Sequence, residues 1–340
     1  MQEEKFSEIG RIEAIEKLFD GTGYRPWDCS GAEAASKGDL AVTASRLLLE
    51  GIDFDLVYFP LKHLGYKSVI SVIGELYASM AKPASISVVL GLSAKLDFGQ
   101  TKEIWEGMAA AAKEHRVKRL SLDLVPSRNG LCISVSGTGF TSNLTARRRM
   151  PAKSMDLICI SGNLGGAFMG MQVLEREKKK FSATKDDRNQ PKLDDYRHLI
   201  GAYLKPEINP GTVEQLEDTG IIPSYGYLVT RGLGDAVKRL SRDSGFGVKI
   251  YVDKIPFPGK MFDVAKEFNV DPMSVAMNGG EDCRLLFTIP IGQHEKFRRD
   301  FQVYDVIGHL AKPEVGQTAV TPDGVEFPIK AQGWKQTEQE

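Results

Sequence analysis

A glycine-rich turn between an apolar run and a helical pattern constrains the fold of this 340-residue chain most. Residues 157–160 are apolar and predict a buried strand, and the apolar positions after Gly166 recur at helical spacing. Gly162, Gly165 and Gly166 allow the backbone to approach a ligand closely, and the first N–H groups of the helix would face that ligand. The turn therefore predicts a phosphate site, although a βα connection that binds nothing gives the same pattern.

Charge and composition limit the classes of partner. The 44 basic and 45 acidic residues nearly cancel, so no overall field attracts the chain to nucleic acid or to a membrane surface. No apolar run reaches the roughly 20 residues that cross a bilayer, and residues 2–5 lack the pattern of a signal peptide. The four cysteines and five histidines are scattered, which argues against a disulfide framework, a zinc site or a nucleophile and base pair. These features predict a cytoplasmic protein that recognises its partners locally.

Hydrophobic periodicity predicts two domains, residues 1–150 and 151–340. The first is predicted to be an α+β unit whose sheet is covered by helices on one face and leaves the other face for a partner. Its expected elements are a helix at 4–19, a loop at 20–39, apolar runs at 40–43 and 47–49, helices at 66–80 and 101–115, a strand at 85–92, and a hairpin of 119–124 with 131–137.

The second domain is predicted to be of the α/β type and begins with the glycine-rich turn. A charged stretch at 178–193 is interpreted as a solvent-exposed insertion. Gly279–Gly280 precede two carboxylates, Glu281 and Asp282, which predict either a ligand role or a turn that accepts backbone hydrogen bonds. The remaining expected elements are helices at 196–204, 213–219 and 236–243, and strands at 248–252, after Asp282, at 306–310 and at 325–329.

The order and spacing of several short segments carry a resemblance to a known family. The segments are Leu49–Phe54, Gly65–Lys67, Arg149 with Ala152, Lys153 and Asp156, Ser161–Gly165, Asp271–Pro272, Gly279–Asp282, Leu285–Thr288, Ile307–Gly308 and Gly333–Trp334. Together they resemble the thiamine-monophosphate kinase family, in the superfamily of aminoimidazole ribonucleotide synthase, over nearly the whole chain. The resemblance implies a two-domain α+β and α/β fold, an N-terminal domain that pairs in a homodimer, and an ATP site. It also implies ATP-dependent phosphorylation of thiamine monophosphate to the diphosphate.

The acidic motifs of that family are mostly missing here. Phosphoryl transfer depends on positioning and on Mg²⁺, which binds carboxylate oxygens. Cys29 and Ser30 stand where the family has its first pair of aspartates, and Arg46 and Arg231 stand at two further aspartate positions. An arginine beside a metal ion is unfavourable by about 4 kcal/mol at 4 Å and an effective dielectric near 20. The comparison with the family therefore predicts that Mg²⁺ binding is weak or absent and that catalysis is impaired.

Two carboxylates survive at the matched positions, Glu75 and Asp123, and they are the candidates for catalysis and for a degraded metal site. If the N-terminal loop shifts, Asp28 and Glu33 could complete a rearranged metal site. The alternative is that arginines pair with the remaining acids in an ion network that replaces the metal.

The other candidate residues concern anions and the substrate. The predicted nucleotide or phosphate ligands are Arg149, Gly162, Asn163, Gly165, Arg46 and Arg231. The predicted substrate ligands are Glu281, Asp282 and Trp334. Arginines bind phosphates directly as planar forks, and Trp334 could stack on a thiamine-like ring. Each of two residues also has a structural interpretation. Arg149 could be an ordinary surface charge, and Trp334 could anchor the C-terminal segment without contacting a ligand.

Three hypotheses about function follow from these residues. The first is an impaired relative of the family that binds ATP or a small phosphorylated ligand, or that assembles with an active homologue. The second is an active kinase with the rearranged metal site. The third is a non-catalytic scaffold with an empty cleft.

Overall fold

The chain forms two compact units, Met1–Ala146 and Arg147–Glu340, in a computed structural model that describes residues 10–26, 34–184 and 193–334. Each unit combines helices with a β-sheet, which confirms the predicted mixture of α and β structure. Within the described residues, no helix has both the length and the apolar character that crossing a bilayer requires.

Unit 1 is built on a four-stranded sheet in the order β1-β4-β2-β3. Its elements are α1 (Arg11–Phe19), β1 (Leu40–Leu49), α2 (Leu61–Ala78), β2 (Lys82–Leu92), α3 (Phe98–Glu114), β3 (Arg119–Pro126) and β4 (Cys132–Thr141), and a short helix α4 (Asn143–Arg148) follows at the unit boundary. Neighbouring strands are antiparallel except β2 and β3, which are parallel.

The predicted hairpin of β3 with β4 is wrong. Both segments are strands, but β2 lies between them in the sheet. The loop 127–131 crosses the end of β2: the Ser127 N–H donates to the Leu92 carbonyl, and the Leu131 N–H donates to Glu50 Oε2 at 2.6 Å. The apolar pattern identified the strands, whereas their order depends on these contacts with residues far away in the sequence.

The two faces of this sheet differ. Ile133, Val135 and Gly137 of β4 are buried, and a Cβ at Gly137 would lie 2.6 Å from Val72 of α2. The helix α2 therefore covers this face. The alternate residues of β4 face the other side, where Ser136 Oγ lies 3.0 Å from the hydroxyl of Ser45 on β1.

Unit 2 is built on a seven-stranded sheet in the order β11-β10-β7-β9-β5-β8-β6. Its elements are β5 (Leu157–Ser161), α5 (Gly166–Thr184), α6 (Arg197–Leu204), α7 (Thr212–Thr219), β6 (Gly226–Val229), α8 (Leu233–Ser244), β7 (Gly247–Tyr251), α9 (Met261–Glu267), α10 (Pro272–Asn278), β8 (Arg284–Ile289), α11 (His294–Asp300), β9 (Tyr304–Ala311), β10 (Gln317–Val320) and β11 (Glu326–Pro328). Among the neighbouring strands in the described part of unit 2, only β7 and β10 are parallel.

The charged stretch predicted as an insertion is partly helical. Helix α5 continues to Thr184, while residues 185–192 lie outside the described residues. Lys180 pairs with Glu177 one turn earlier at 2.9 Å, and lysine and glutamate are good helix formers. A charged sequence therefore extends this helix. Strands β6 and β10 were not predicted.

Candidate functional site

The glycine-rich turn joins β5 to α5, as predicted from its pattern. Gly162 and Gly165 have φ values of +78° and +81°, a region that glycine adopts without steric cost. A Cβ at Gly165 would also lie 2.9 Å from Met261 and 3.1 Å from Val275. Both the backbone path and the tight packing of the turn therefore require glycine at position 165.

Asp282 places a carboxylate at the N-terminus of α5. Its Oδ2 accepts the Gly165 N–H at 2.8 Å, and its Oδ1 accepts the Ala167 N–H at 3.1 Å. Asp282 is only 2% exposed, and this burial raises the pKa of its carboxyl group to about 6, against the opposing effect of the two backbone hydrogen bonds. The amide of Gly165, a predicted phosphate ligand, is thus engaged by an internal anion, where the helix dipole favours negative charge.

The turn that carries Asp282 has an unusual backbone. Glu281 and Cys283 have φ values of +66° and +50°, and Gly280 has +79°. A non-glycine residue in this region costs roughly 1–2 kcal/mol, so the surrounding contacts must hold the turn. One of these contacts is the hydrogen bond from the Glu281 N–H to the Thr230 carbonyl at 2.9 Å. The side chain of Glu281 is half-buried.

Arg284 lies beside the glycine-rich turn and was not among the predicted site residues. Its Nε donates to the Asn163 carbonyl at 3.3 Å, and its Nη1 donates to the Glu207 carbonyl at 3.4 Å. Its Nε, Cζ and Nη1 atoms lie 3.5–3.7 Å from the place of a Cβ at Gly162. A half-buried guanidinium at Gly162 and Asn163 can contact an anion. The available sequence signal was a basic residue two positions after Asp282.

The two surviving acids of unit 1 lie on different sides of its sheet. Asp123 is in register with Val89, on the face turned away from α2. Its Oδ1 lies 2.8 Å from Nη1 of Arg11, and both side chains are about half exposed. Glu75 belongs to α2, which covers the opposite face. Unit 1 therefore does not bring Glu75 and Asp123 together as a pair of metal ligands.

A magnesium site would need several oxygen ligands close together. Magnesium demands near-octahedral oxygen ligation and is usually held by one or two carboxylates together with water and substrate phosphates. Within residues 10–26, 34–184 and 193–334, no group of three or more His, Cys, Asp or Glu side chains is placed to hold a metal ion. Asp28 and Glu33 lie outside these ranges. The described residues thus offer no all-protein cluster of three ligands for a magnesium ion.

The predicted phosphate-binding arginines lie in three different places. Arg46 is half-buried on β1, in register with Val135 on the face that α2 covers. Arg149 is half-buried after α4, and burial lowers the pKa of its guanidinium. Arg231 is exposed just before α8, and its backbone lies against Gly280, 3.4 Å from the place of a Cβ there.

Trp334 is attached to helix α8. Its indole Nε1–H donates to Asp235 Oδ1 at 2.9 Å, and the guanidinium of Arg242 lies 5.6 Å from the centre of its ring. The second oxygen of Asp235 lies 3.0 Å from Nε of Arg239, with Asp235 largely buried. Trp334 is thereby held by a polar contact and a cation–π contact.

Comparison with known proteins shows what this chain is similar to. Residues 28–141 match the family model described as AIR synthase related protein, N-terminal domain. Thiamine-monophosphate kinase of Aquifex aeolicus is 23% identical over 335 residues, which cover 98% of this chain and 99% of that protein.

Two solved structures show how widely the fold is shared. AaThiL complexed with AMPPCP and TMP is similar with a TM-score of 0.70 and 20% identity, over 99% of this chain and all of that one. E. coli HypE has a TM-score of 0.70 and 16% identity, over 96% and 99% of the two chains. The fold therefore does not select one activity. Over nearly its whole length the chain is similar to thiamine-monophosphate kinase, and its residues 28–141 match the AIR synthase related N-terminal domain.

Proposed function

We propose that this chain binds ATP and thiamine monophosphate and is an impaired phosphotransferase that lacks the metal cluster of its family. The observation that carries the proposal is the position of the surviving acids: Asp123 is paired with Arg11, and Glu75 lies across the sheet. A full-length relative is a thiamine-monophosphate kinase, and a protein of the same fold was crystallised with AMPPCP and TMP. As part of this proposal, the protein acts in the cytoplasm.

The chemistry that remains is anion binding. Arg284 borders Gly162 and Asn163 in unit 2, and Arg231 adjoins the turn of Asp282. Guanidinium groups hold phosphate oxygens without a metal. They compensate the charge of a bound phosphate but would not supply the charge neutralisation that a magnesium ion gives to the transferring phosphoryl group. We therefore expect the chain to retain ligand binding while phosphoryl transfer is slow.

Thermal shift and product formation test this proposal together. ATP and thiamine monophosphate should each raise the melting temperature without Mg²⁺, because ligands that bind only the folded state stabilise it. Thiamine diphosphate should form at least about 100-fold more slowly than with the Aquifex aeolicus enzyme in parallel, since a catalytic metal contributes several kcal/mol. A Mg²⁺-dependent rate equal to that enzyme, abolished in Asp123→Asn, would establish the active kinase instead. If neither ATP nor thiamine monophosphate changes the melting temperature, the result would favour the hypothesis of a non-catalytic scaffold.

We also propose that unit 1 pairs with a second copy through the open face of its sheet. Leu47, Ser134, Val89 and Asp123 form one row across the four strands on this face. Leu47 and Val89 are 56% and 39% exposed, and uncovered apolar residues on a sheet face mark an interaction surface. The small hydroxyl side chains beside them leave the face flat enough for a symmetric contact.

Sedimentation measures this assembly directly. The wild-type chain should sediment as a dimer, and Ser136→Arg, at the centre of the open face, should shift it to a monomer with unchanged circular dichroism. Ile52→Arg is the matched control, because Ile52 is 77% exposed but lies outside the strands. A wild-type monomer, or a dimer that survives Ser136→Arg, would refute this interface.

A further inference from the structure

Two Asn–Gly pairs occur in this sequence, Asn129–Gly130 and Asn278–Gly279. The side-chain amide of an asparagine is attacked most readily by the backbone nitrogen of a following glycine, because glycine has no Cβ to hinder the approach and adopts a wide range of backbone angles. The product of this attack is a cyclic imide. The reaction requires a glycine nitrogen that is free to move, and the two pairs differ in this respect.

Asn129 and Gly130 lie in the loop 127–131, which joins β3 to β4 and crosses the end of β2. Asn129 is exposed, and its own N–H donates to Ser127 Oγ at 3.3 Å. Within the part of the chain that the structure describes, no group accepts a hydrogen bond from the Gly130 N–H. The Gly130 nitrogen can therefore approach the Asn129 side chain without the opening of a helix or a strand.

The path of this loop requires glycine at position 130. Gly130 has a φ of +89°, and a Cβ there would lie 2.7 Å from Glu50 Oε2. The same oxygen accepts the Leu131 N–H at 2.6 Å, so the carboxylate is held against the loop. A side chain at position 130 would be strained and would displace this carboxylate. The fold thus places the least hindered neighbour next to Asn129.

The backbone after Asn278 is fixed in a helix. Asn278 is also exposed and is the last residue of α10. The Gly279 N–H donates to the Val275 carbonyl at 2.7 Å, and Gly279 has helical φ and ψ values of −68° and −44°. A Cβ at Gly279 would lie 2.7 Å from Phe168 of α5, so this backbone is also closely packed. Attack by the Gly279 nitrogen requires the last turn of α10 to open first.

We infer that Asn129 is a site of spontaneous deamidation and isomerisation to isoaspartate, whereas the folded chain protects Asn278. The inference does not rest on the proposed function. The Gly130 nitrogen bonds to Cγ of Asn129, the bond from Cγ to the side-chain nitrogen breaks, and ammonia leaves with the proton that Gly130 has lost. Water then adds to one of the two imide carbonyls and opens the ring, which yields aspartate or isoaspartate at position 129. Water is the only other reactant.

The modification alters the contacts that hold the loop. Isoaspartate adds one methylene carbon to the main chain between two anchors, the Ser127 N–H on the Leu92 carbonyl and the Leu131 N–H on Glu50. Leu131 is fully buried, so the longer main chain strains a closely packed part of unit 1. Both products also place a new carboxylate one residue before Gly130, near the negative charge of Glu50. We expect the modified loop to bind the sheet less firmly.

Peptide mapping by mass spectrometry of the full chain, incubated in mildly alkaline buffer, tests the inference. Deamidation exchanges an amino group for a hydroxyl group, so the masses of two peptides report both asparagines in one sample. In the folded chain Asn129 should convert about tenfold or more faster than Asn278, and in guanidinium chloride the two rates should agree within about threefold. The fraction with isoaspartate at position 129 should melt about 2–8 °C below the unmodified chain.

Two glutamine variants are the matched controls, because glutamine keeps the carboxamide but must form a larger ring. Asn129→Gln should suppress conversion of the loop peptide, and Asn278→Gln should leave the rate at Asn129 unchanged. Equal rates in the folded chain, faster conversion of Asn278, or conversion of Asn129 only in denaturant would overturn the inference. A modified fraction with the melting temperature of the unmodified chain would overturn the expected effect on the loop.

Discussion

Replacement of Asp282 by alanine is expected to destabilise unit 2 by about 2–4 kcal/mol. The change leaves the amides of Gly165 and Ala167 without the acceptor they have at 2.8 and 3.1 Å, and a buried N–H without a partner costs roughly 1–3 kcal/mol. Removal of a desolvated carboxylate offsets part of this loss. The effect is a large fraction of the 5–15 kcal/mol that stabilises a typical domain. Urea unfolding followed by circular dichroism at pH 7 measures it.

Asp282→Asn is the matched variant, because it keeps the volume and one acceptor. It should lose about half as much stability as Asp282→Ala. The two variants also separate structure from ligand binding. If Asp282→Ala unfolds at the wild-type urea concentration, the carboxylate does not hold the helix terminus, and a ligand role for Asp282 would replace the present interpretation.

The same carboxyl group predicts the sign of a pH effect. Its pKa is about 6 in the folded chain and near 3.8 when solvated. Between these values the folded state retains a proton that the unfolded state has lost, so the stability contributed by Asp282 decreases as the pH rises from about 4 to about 6. The full effect is roughly 3 kcal/mol, at 1.36 kcal/mol per pKa unit. Asp282→Asn should lack this component in urea unfolding at pH 4.5 and pH 7, and identical slopes in both proteins would contradict it.

Gly107→Ala is expected to destabilise unit 1 by about 3 kcal/mol or more. A Cβ at Gly107 of α3 would lie 2.0 Å from the Lys62 carbonyl of α2, and a Cβ at Gly65 of α2 would lie 1.9 Å from the Ile104 carbonyl of α3. The two helices therefore touch through their backbones. Alanine gains about 1 kcal/mol of helix propensity, but the clash is with backbone atoms that cannot rotate away, and the helices must separate.

Gly201→Ala is the control for this prediction. Gly201 lies within α6, and a Cβ there meets nothing within 4 Å. Only the propensity gain then remains, and the variant should be more stable by about 0.5–1 kcal/mol. Fluorescence of Trp105, which is fully buried on α3, reports the unfolding of unit 1 in Gly107→Ala. If Gly107→Ala unfolds at the same denaturant concentration as the wild-type chain, α2 and α3 do not approach this closely.

Local sequence patterns determined the elements that hold the candidate site. The apolar run before the glycine-rich turn became β5, and the helical spacing after it became α5. These features could be predicted because side-chain periodicity and glycine conformation act over a few residues. The short segments spaced along the chain likewise indicated the similarity to thiamine-monophosphate kinases, since their order is a property of the sequence itself.

The tertiary structure alone decided what these elements contact. The anion at the N-terminus of α5 is Asp282, 117 residues beyond Gly165, and no local pattern shows that a buried carboxylate will occupy this place. The sheet of unit 1 likewise separates Glu75 from Asp123, and it inserts β2 between β3 and β4. Strand order and burial depend on contacts between residues that are distant in the sequence. Local sequence therefore determined most of the helices and strands, whereas the tertiary packing determined which charged side chains lie next to one another.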